Sequence, residues 1–175
     1  MTKARKIVLM LMFSLSCQNQ RVPTMYWESA FSTDEVYIRN LPQRYQFDCG
    51  MSDELKDIAR YGFKTWDDMT DANLFEEVDE CSTTSDRNVI TISVNPDYAI
   101  DFLNFMPIVN KNTLGYTFRR LGESGIDIVG ADIMFYRSWL EGTEWEQKNI
   151  AVHEIGHALG LTHVNDIYCI MNPYL

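Results

Sequence analysis

The 175-residue sequence predicts an α+β fold, a five-stranded mixed sheet over two main helices. Two stretches carry helical signals, and five short runs rich in branched and aromatic residues read as strands. Strand and helix alternate only at the start, which separates this pattern from a fully alternating α/β chain.

In chain order, the first strand is "VYIRNL" from Val36. The first helix follows in "ELKDIARYGFKTWDDM", where Leu55, Ile58, Ala59, Gly62, Trp66 and Met69 recur at helical spacing and form one apolar face. The remaining strands are "LFEEV" from Leu74, "VITISV" from Val89, "LGYTFR" from Leu114 and "ADIMFY" from Ala131. Thr143 and Glu146 then have the spacing of a capping box, the start signal of the second helix.

Upstream of the domain, Lys3, Arg5 and Lys6 precede the apolar run "IVLMLMFSL", about the length of a signal-peptide core and too short for a comfortable membrane span. Residues 1–17 are therefore a signal peptide, residues 18–34 a linker without periodicity, and residues 35–175 one domain. Ser14 and Ser16 suit ordinary signal cleavage, whereas Cys17 fits lipidation of a bacterial envelope lipoprotein through an imperfect lipobox. Both routes are extracytoplasmic, one secreted and one membrane-attached. The net charge of −10 disfavours nucleic acid as a partner, and a monomer is expected.

The second helix ends in "HEIGHALGLTH", which holds all 3 histidines of the chain. On a helix, His153 and His157 lie within roughly 40° of each other and Glu154 about 60° beyond His157, while Ala151, Val152, Ile155, Ala158 and Leu159 take the opposite arc. A continued helix would carry His163 away, so the helix must break, and Gly160 is the residue that permits it. Three imidazoles then surround one point and leave a fourth position open, the arrangement of a catalytic zinc. A carboxylate beside a metal-activated water can act as general base, which assigns that role to Glu154 and makes peptide-bond hydrolysis the reaction.

His153, Glu154, His157, Gly160 and His163 resemble the extended zinc motif of the metzincin metalloproteases, and "CIMNP" resembles their Met-turn. Met171 follows His163 at the spacing of the matrixin branch. The resemblance implies a zincin-like metzincin fold, one catalytic zinc, a protein or peptide substrate, and Met171 as an apolar floor under the metal. It also implies that "LGYTFR" is the antiparallel edge strand lining the cleft, so that Leu114, Gly115 and Tyr116 contact substrate. Departures accompany the likeness. No histidines remain for a second, structural zinc, and calcium sites are not readable. The segment after the Met-turn is short, and Tyr174, three residues after Met171, is a substrate-contact candidate that matches neither common tyrosine position of the family.

With Cys17 lipidated and Cys169 a buried free thiol beside the Met-turn, Cys49 and Cys81 are left to pair. In a parallel strand-helix-strand unit both lie at the same end of the sheet. A different role for Cys49, in a zinc-blocking switch like that of matrixin proforms, is opposed by its unmatched flanks. Two functions remain open, an extracytoplasmic zinc endopeptidase and a non-catalytic zinc-binding lipoprotein or adhesin.

Overall fold

The computed structural model describes residues 37–38, 40–78, 81, 88–95, 113–125 and 127–174. The expected signal peptide and linker over residues 1–34, with Cys17, lie outside them. Strands are β1 (Tyr37–Ile38), β2 (Gln43–Phe47), β3 (Phe75–Glu77), β4 (Ile90–Asn95), β5 (Gly115–Leu121) and β6 (Asp127–Tyr136). Helices are α1 (Asp53–Thr70), the single turn α2 (Arg137–Leu140) and α3 (Glu144–Ala158).

The longest strand, β6, organises the sheet. On one side it pairs antiparallel with β5, and on the other it pairs parallel with β4, which continues through β2 to β3, again parallel. The two residues of β1 pair with Asp127 and Ile128 of β6. Because β5 already reaches Ile128 from its own side, β1 must lie in line with β4. The sheet is therefore mixed and five strands wide, and the fold is α+β as the sequence indicates.

One strand sits elsewhere than expected. In the run from Val36 to Leu41 the described strand residues are Tyr37–Ile38, and the strand between β3 and β4 is Gln43–Phe47. Its apolar pattern is masked because Gln43 and Gln46 are themselves buried, at 4% and 6% exposure. The Gln46 amide donates to Thr91 Oγ1 on β4 at 3.3 Å, so part of this polar burial is compensated within the sheet.

Helix α1 starts at the Ser52 cap, whose Oγ accepts from Leu55 N, with Asp53 and Glu54 in the first turn where the helix dipole favours negative charge. It buries Ile58, Phe63 and Trp66 against the sheet and α3, and turns Lys64 and Asp68 to solvent. Gly62 allows the two helices to touch: a Cβ there would lie 2.6 Å from Ile155 Cδ1 and 3.1 Å from the Ala151 carbonyl carbon. Beside it, Trp66 Nε1 donates to Val152 O at 2.8 Å, fixing α3 at the turn that carries the histidines. From the other end, Trp139 of α2 stacks on Phe135 and donates to Gln147 O.

A disulfide joins Cys49, after β2, to Cys81, after β3, with Cα atoms 4.9 Å apart. Closing a loop across 32 residues restricts the unfolded chain, an effect of about 3–4 kcal/mol in the chain-entropy description.

Candidate metal centre

Helix α3 begins with the capping box read from the sequence. Thr143 Oγ1 accepts from Glu146 N at 3.3 Å, and Glu146 Oε2 accepts from Thr143 N at 2.7 Å. The helix then runs beneath the sheet, and its second half is buried on almost every side. It ends in a Schellman motif: Leu161 N donates to Gly156 O and Gly160 N to His157 O, with Gly160 at φ 96°. That left-handed residue reverses the chain and returns His163 to the last turn of α3.

The three Nε2 atoms form a small triangle, with 3.1 Å between His157 and each of the other two and 3.2 Å between His153 and His163. The backbone dictates the tautomers. His153 Nδ1 donates to Ile170 O at 2.7 Å and His157 Nδ1 donates to Leu161 O at 2.8 Å, so the neutral rings carry their protons there. Their Nε2 atoms therefore hold lone pairs aimed at each other with no proton between them. A cation at the centre turns that repulsion into ligation. Tetrahedral bonds of about 2.0–2.1 Å set ligand nitrogens about 3.3–3.4 Å apart, close to the observed edges, so the residues present fit a zinc ion. Burial keeps the rings neutral, as ligands must be: it pushes His153 down to about 4, His157 down to about 3, and His163 in the same direction.

Glu154 sits beside the triangle at 5% exposure. Burial pushes its carboxyl up to about 7, opposed by a hydrogen bond from Thr117 Oγ1 to Oε2 at 2.6 Å. Strand β5 supplies this partner from across a cleft of about 400 Å³, lined by Gly115, Tyr116, Thr117, Arg119, Glu154, His157 and His163 among others. A Cβ at Gly115 would stand 2.7 Å from Glu154 Cγ and 2.9 Å from Oε1, so only glycine lets the strand approach this closely. The cleft-side edge of β5 pairs with no other described strand.

Met171 is fully buried under α3, where a Cβ on Gly156 would lie 2.5 Å from its Sδ. Its carbonyl accepts from Val164 N at 2.9 Å, tying the Met-turn to the loop that carries His163.

Of the substrate-contact candidates, Gly115 and Tyr116 line the cleft. Leu114 instead packs on the core and lines a separate cavity beside Trp139 and Ile150. Tyr174 is 87% exposed and does not line the cleft, and its backbone N–H donates to Asn172 Oδ1 at 2.8 Å. Cys169 is corrected: it is disulfide-bonded rather than a free thiol, to a partner outside the described residues. The sequence alone does not single out Thr117 and Arg119. Their signal was the two-residue alternation of a strand, which puts them on the same face as Gly115.

A mixed sheet whose antiparallel edge faces a helix bearing two imidazoles and a carboxylate, with a third imidazole after a glycine break and a methionine turn beneath, defines the metzincin class of metalloprotease. Comparison with known proteins narrows this. The matrixin family profile matches residues 43–175. The hatching enzyme of Paracentrotus lividus is 30% identical over 152 residues, which cover 82% of this chain and 24% of that protein. The chain thus spans about a quarter of the length of that relative. It belongs to the matrixin family, a family of zinc metalloendopeptidases.

Proposed function

We propose that this chain is an endopeptidase with one catalytic zinc held by His153, His157 and His163, and with Glu154 as its general base. The observation that carries the reading is the convergence of three Nε2 atoms, two of them deprotonated by their backbone partners, beside one buried carboxylate. Zinc, when bound, supplies a Lewis acid that polarises the scissile carbonyl and lowers the pKa of water towards about 7.

The chain's own residues supply the rest. The edge of β5 that pairs with no other described strand offers backbone N–H and C=O groups to an extended peptide, which adds as a further strand, and Gly115 and Tyr116 border it. Glu154 accepts a proton from the attacking water at a carboxylate oxygen as the new C–O bond forms. It then delivers that proton to the leaving amine nitrogen as the C–N bond breaks. Burial at 5% exposure keeps bulk water from competing at that carboxylate.

The same reading puts the protein outside the cytoplasm as a secreted protein, where its disulfide between Cys49 and Cys81 persists. Among the described residues no helix is long and apolar enough to cross a membrane. The test is hydrolysis of an unfolded protein by the purified chain. Activity that a chelator abolishes and stoichiometric zinc restores supports the proposal. A zinc-loaded chain that cleaves nothing overturns it in favour of a binding protein.

A further inference from the structure

The face of β5 turned toward α3 grips Glu154 at two points. Thr117 Oγ1 lies 2.6 Å from Glu154 Oε2 and 2.9 Å from the Glu154 carbonyl oxygen. A hydroxyl has one proton, and the shorter contact has the length of a charge-assisted O–H···O⁻ bond, about 2.5–2.7 Å, so the proton points at the carboxylate. Two residues earlier, Gly115 fits so closely that a Cβ would meet Glu154 Cγ, Oε1 and Cδ within 3.0 Å. Among the described residues, Thr117 is the hydrogen-bond partner of this carboxylate, and Oε1 has none.

We propose that Thr117 is a positioning residue for the reaction: its hydroxyl holds Oε2 against β5 and so presents Oε1 to the attacking water. The terminal torsion of a glutamate is broad and two-fold, so backbone and packing alone do not choose which oxygen faces the cleft. A single strong donor does. Gly115 completes the device by letting the strand come near enough for the Thr117 hydroxyl to reach. The inference rests on Glu154 being the base, and it adds to that reading a residue that acts on the reaction through that carboxylate.

The test compares Thr117→Val, which keeps the shape and removes the donor, with Thr117→Ser, which keeps the donor. In Thr117→Val, kcat is expected to fall about 10-fold with KM within about twofold, because a misdirected base slows chemistry and leaves strand addition intact. Zinc content and melting temperature should stay near wild type. Thr117→Ser should restore kcat to within about threefold. A crystal structure of Thr117→Val should show the Glu154 carboxylate rotated off its wild-type plane. Wild-type kcat in Thr117→Val, equal loss in Thr117→Ser, or an unmoved carboxylate each overturns the proposal. If Thr117→Val does not fold, Thr117→Ala against Thr117→Ser decides by the same criteria. A wild type that cleaves nothing defeats the peptidase reading instead, and the carboxylate rotation still decides whether Thr117 positions it.

Discussion

Two polar clusters lie on opposite sides of the molecule, and they are built on opposite rules. The first joins Arg60 on α1 to Glu77 on β3 through a two-pronged contact of 2.7 and 2.8 Å, with the Tyr45 hydroxyl donating to the same carboxylate at 3.0 Å. Its charges are complementary: the Arg60 hydrogen bond holds Glu77 below the usual carboxylate range, and Glu77 in turn raises Arg60. The second gathers His153, His157, His163 and Glu154, and there burial drives every group towards its neutral form. One cluster is complete within the protein. The other directs lone pairs at each other, which makes sense only with a cation between them, and that difference separates a structural polar network from a metal centre.

The largest effect is expected from removing a ligand. His157→Ala should reduce bound zinc from about one equivalent to a trace and abolish peptidase activity, while the remote Arg60–Glu77 cluster keeps the fold intact; metal analysis with circular dichroism checks both. Gly156→Ala comes next. Alanine normally stabilises a helix interior by about 0.5–1 kcal/mol relative to glycine, but here its Cβ would lie 2.5 Å from Met171 Sδ and 2.9 Å from Trp66 Cζ2. Overpacking should reverse the sign and cost about 1–3 kcal/mol in denaturant unfolding.

Acidity sharpens the contrast further. With metal removed, the raised Glu154 carboxyl, about 7 against 4.5, favours folding at pH below 4.5, and that contribution is lost as pH rises through about 7. His153 behaves oppositely: pushed down from 6.5 to about 4, it contributes stability above pH 6.5 that is lost as pH falls through about 4. Metal-free Glu154→Gln should therefore melt above the metal-free wild type on the alkaline side of 7, with the gap closing towards pH 4.5. The smallest effect belongs to Glu77→Ala. That carboxylate is 30% exposed, so its loss should cost about 1 kcal/mol and leave kcat/KM unchanged.

What could be read from the chain alone follows physical lines. Features written in short-range periodicity were legible: α1 from its apolar spacing, α3 from Thr143 and Glu146, and the break at Gly160 from the need to bring His163 back. Strand β2 was hidden because it buries Gln43 and Gln46 where apolar residues are expected. Thr117 and Arg119 became visible only once the phase of β5 against α3 was known, since a strand shows its two faces by alternation and nothing local says which face meets the helix. The bonded state of Cys169 leaves no signal in the residues around it. Leu114 and Tyr174 were singled out by their places in a motif, yet the chain turns Leu114 onto the core and Tyr174 into solvent.

In the function proposed for this chain, metal binding and chemistry are separate tasks, given to the imidazoles and to Glu154. Glu154→Gln tests it most directly, because the amide keeps size and hydrogen bonding and removes the basic oxygen. Zinc content and peptidase activity are measured side by side with the wild type on an unfolded protein substrate. Zinc near one equivalent is expected in both proteins, with a fall in kcat of at least about 10²-fold in the variant, the lower end of what a general base contributes. A Glu154→Gln protein that hydrolyses as fast as the wild type would contradict it.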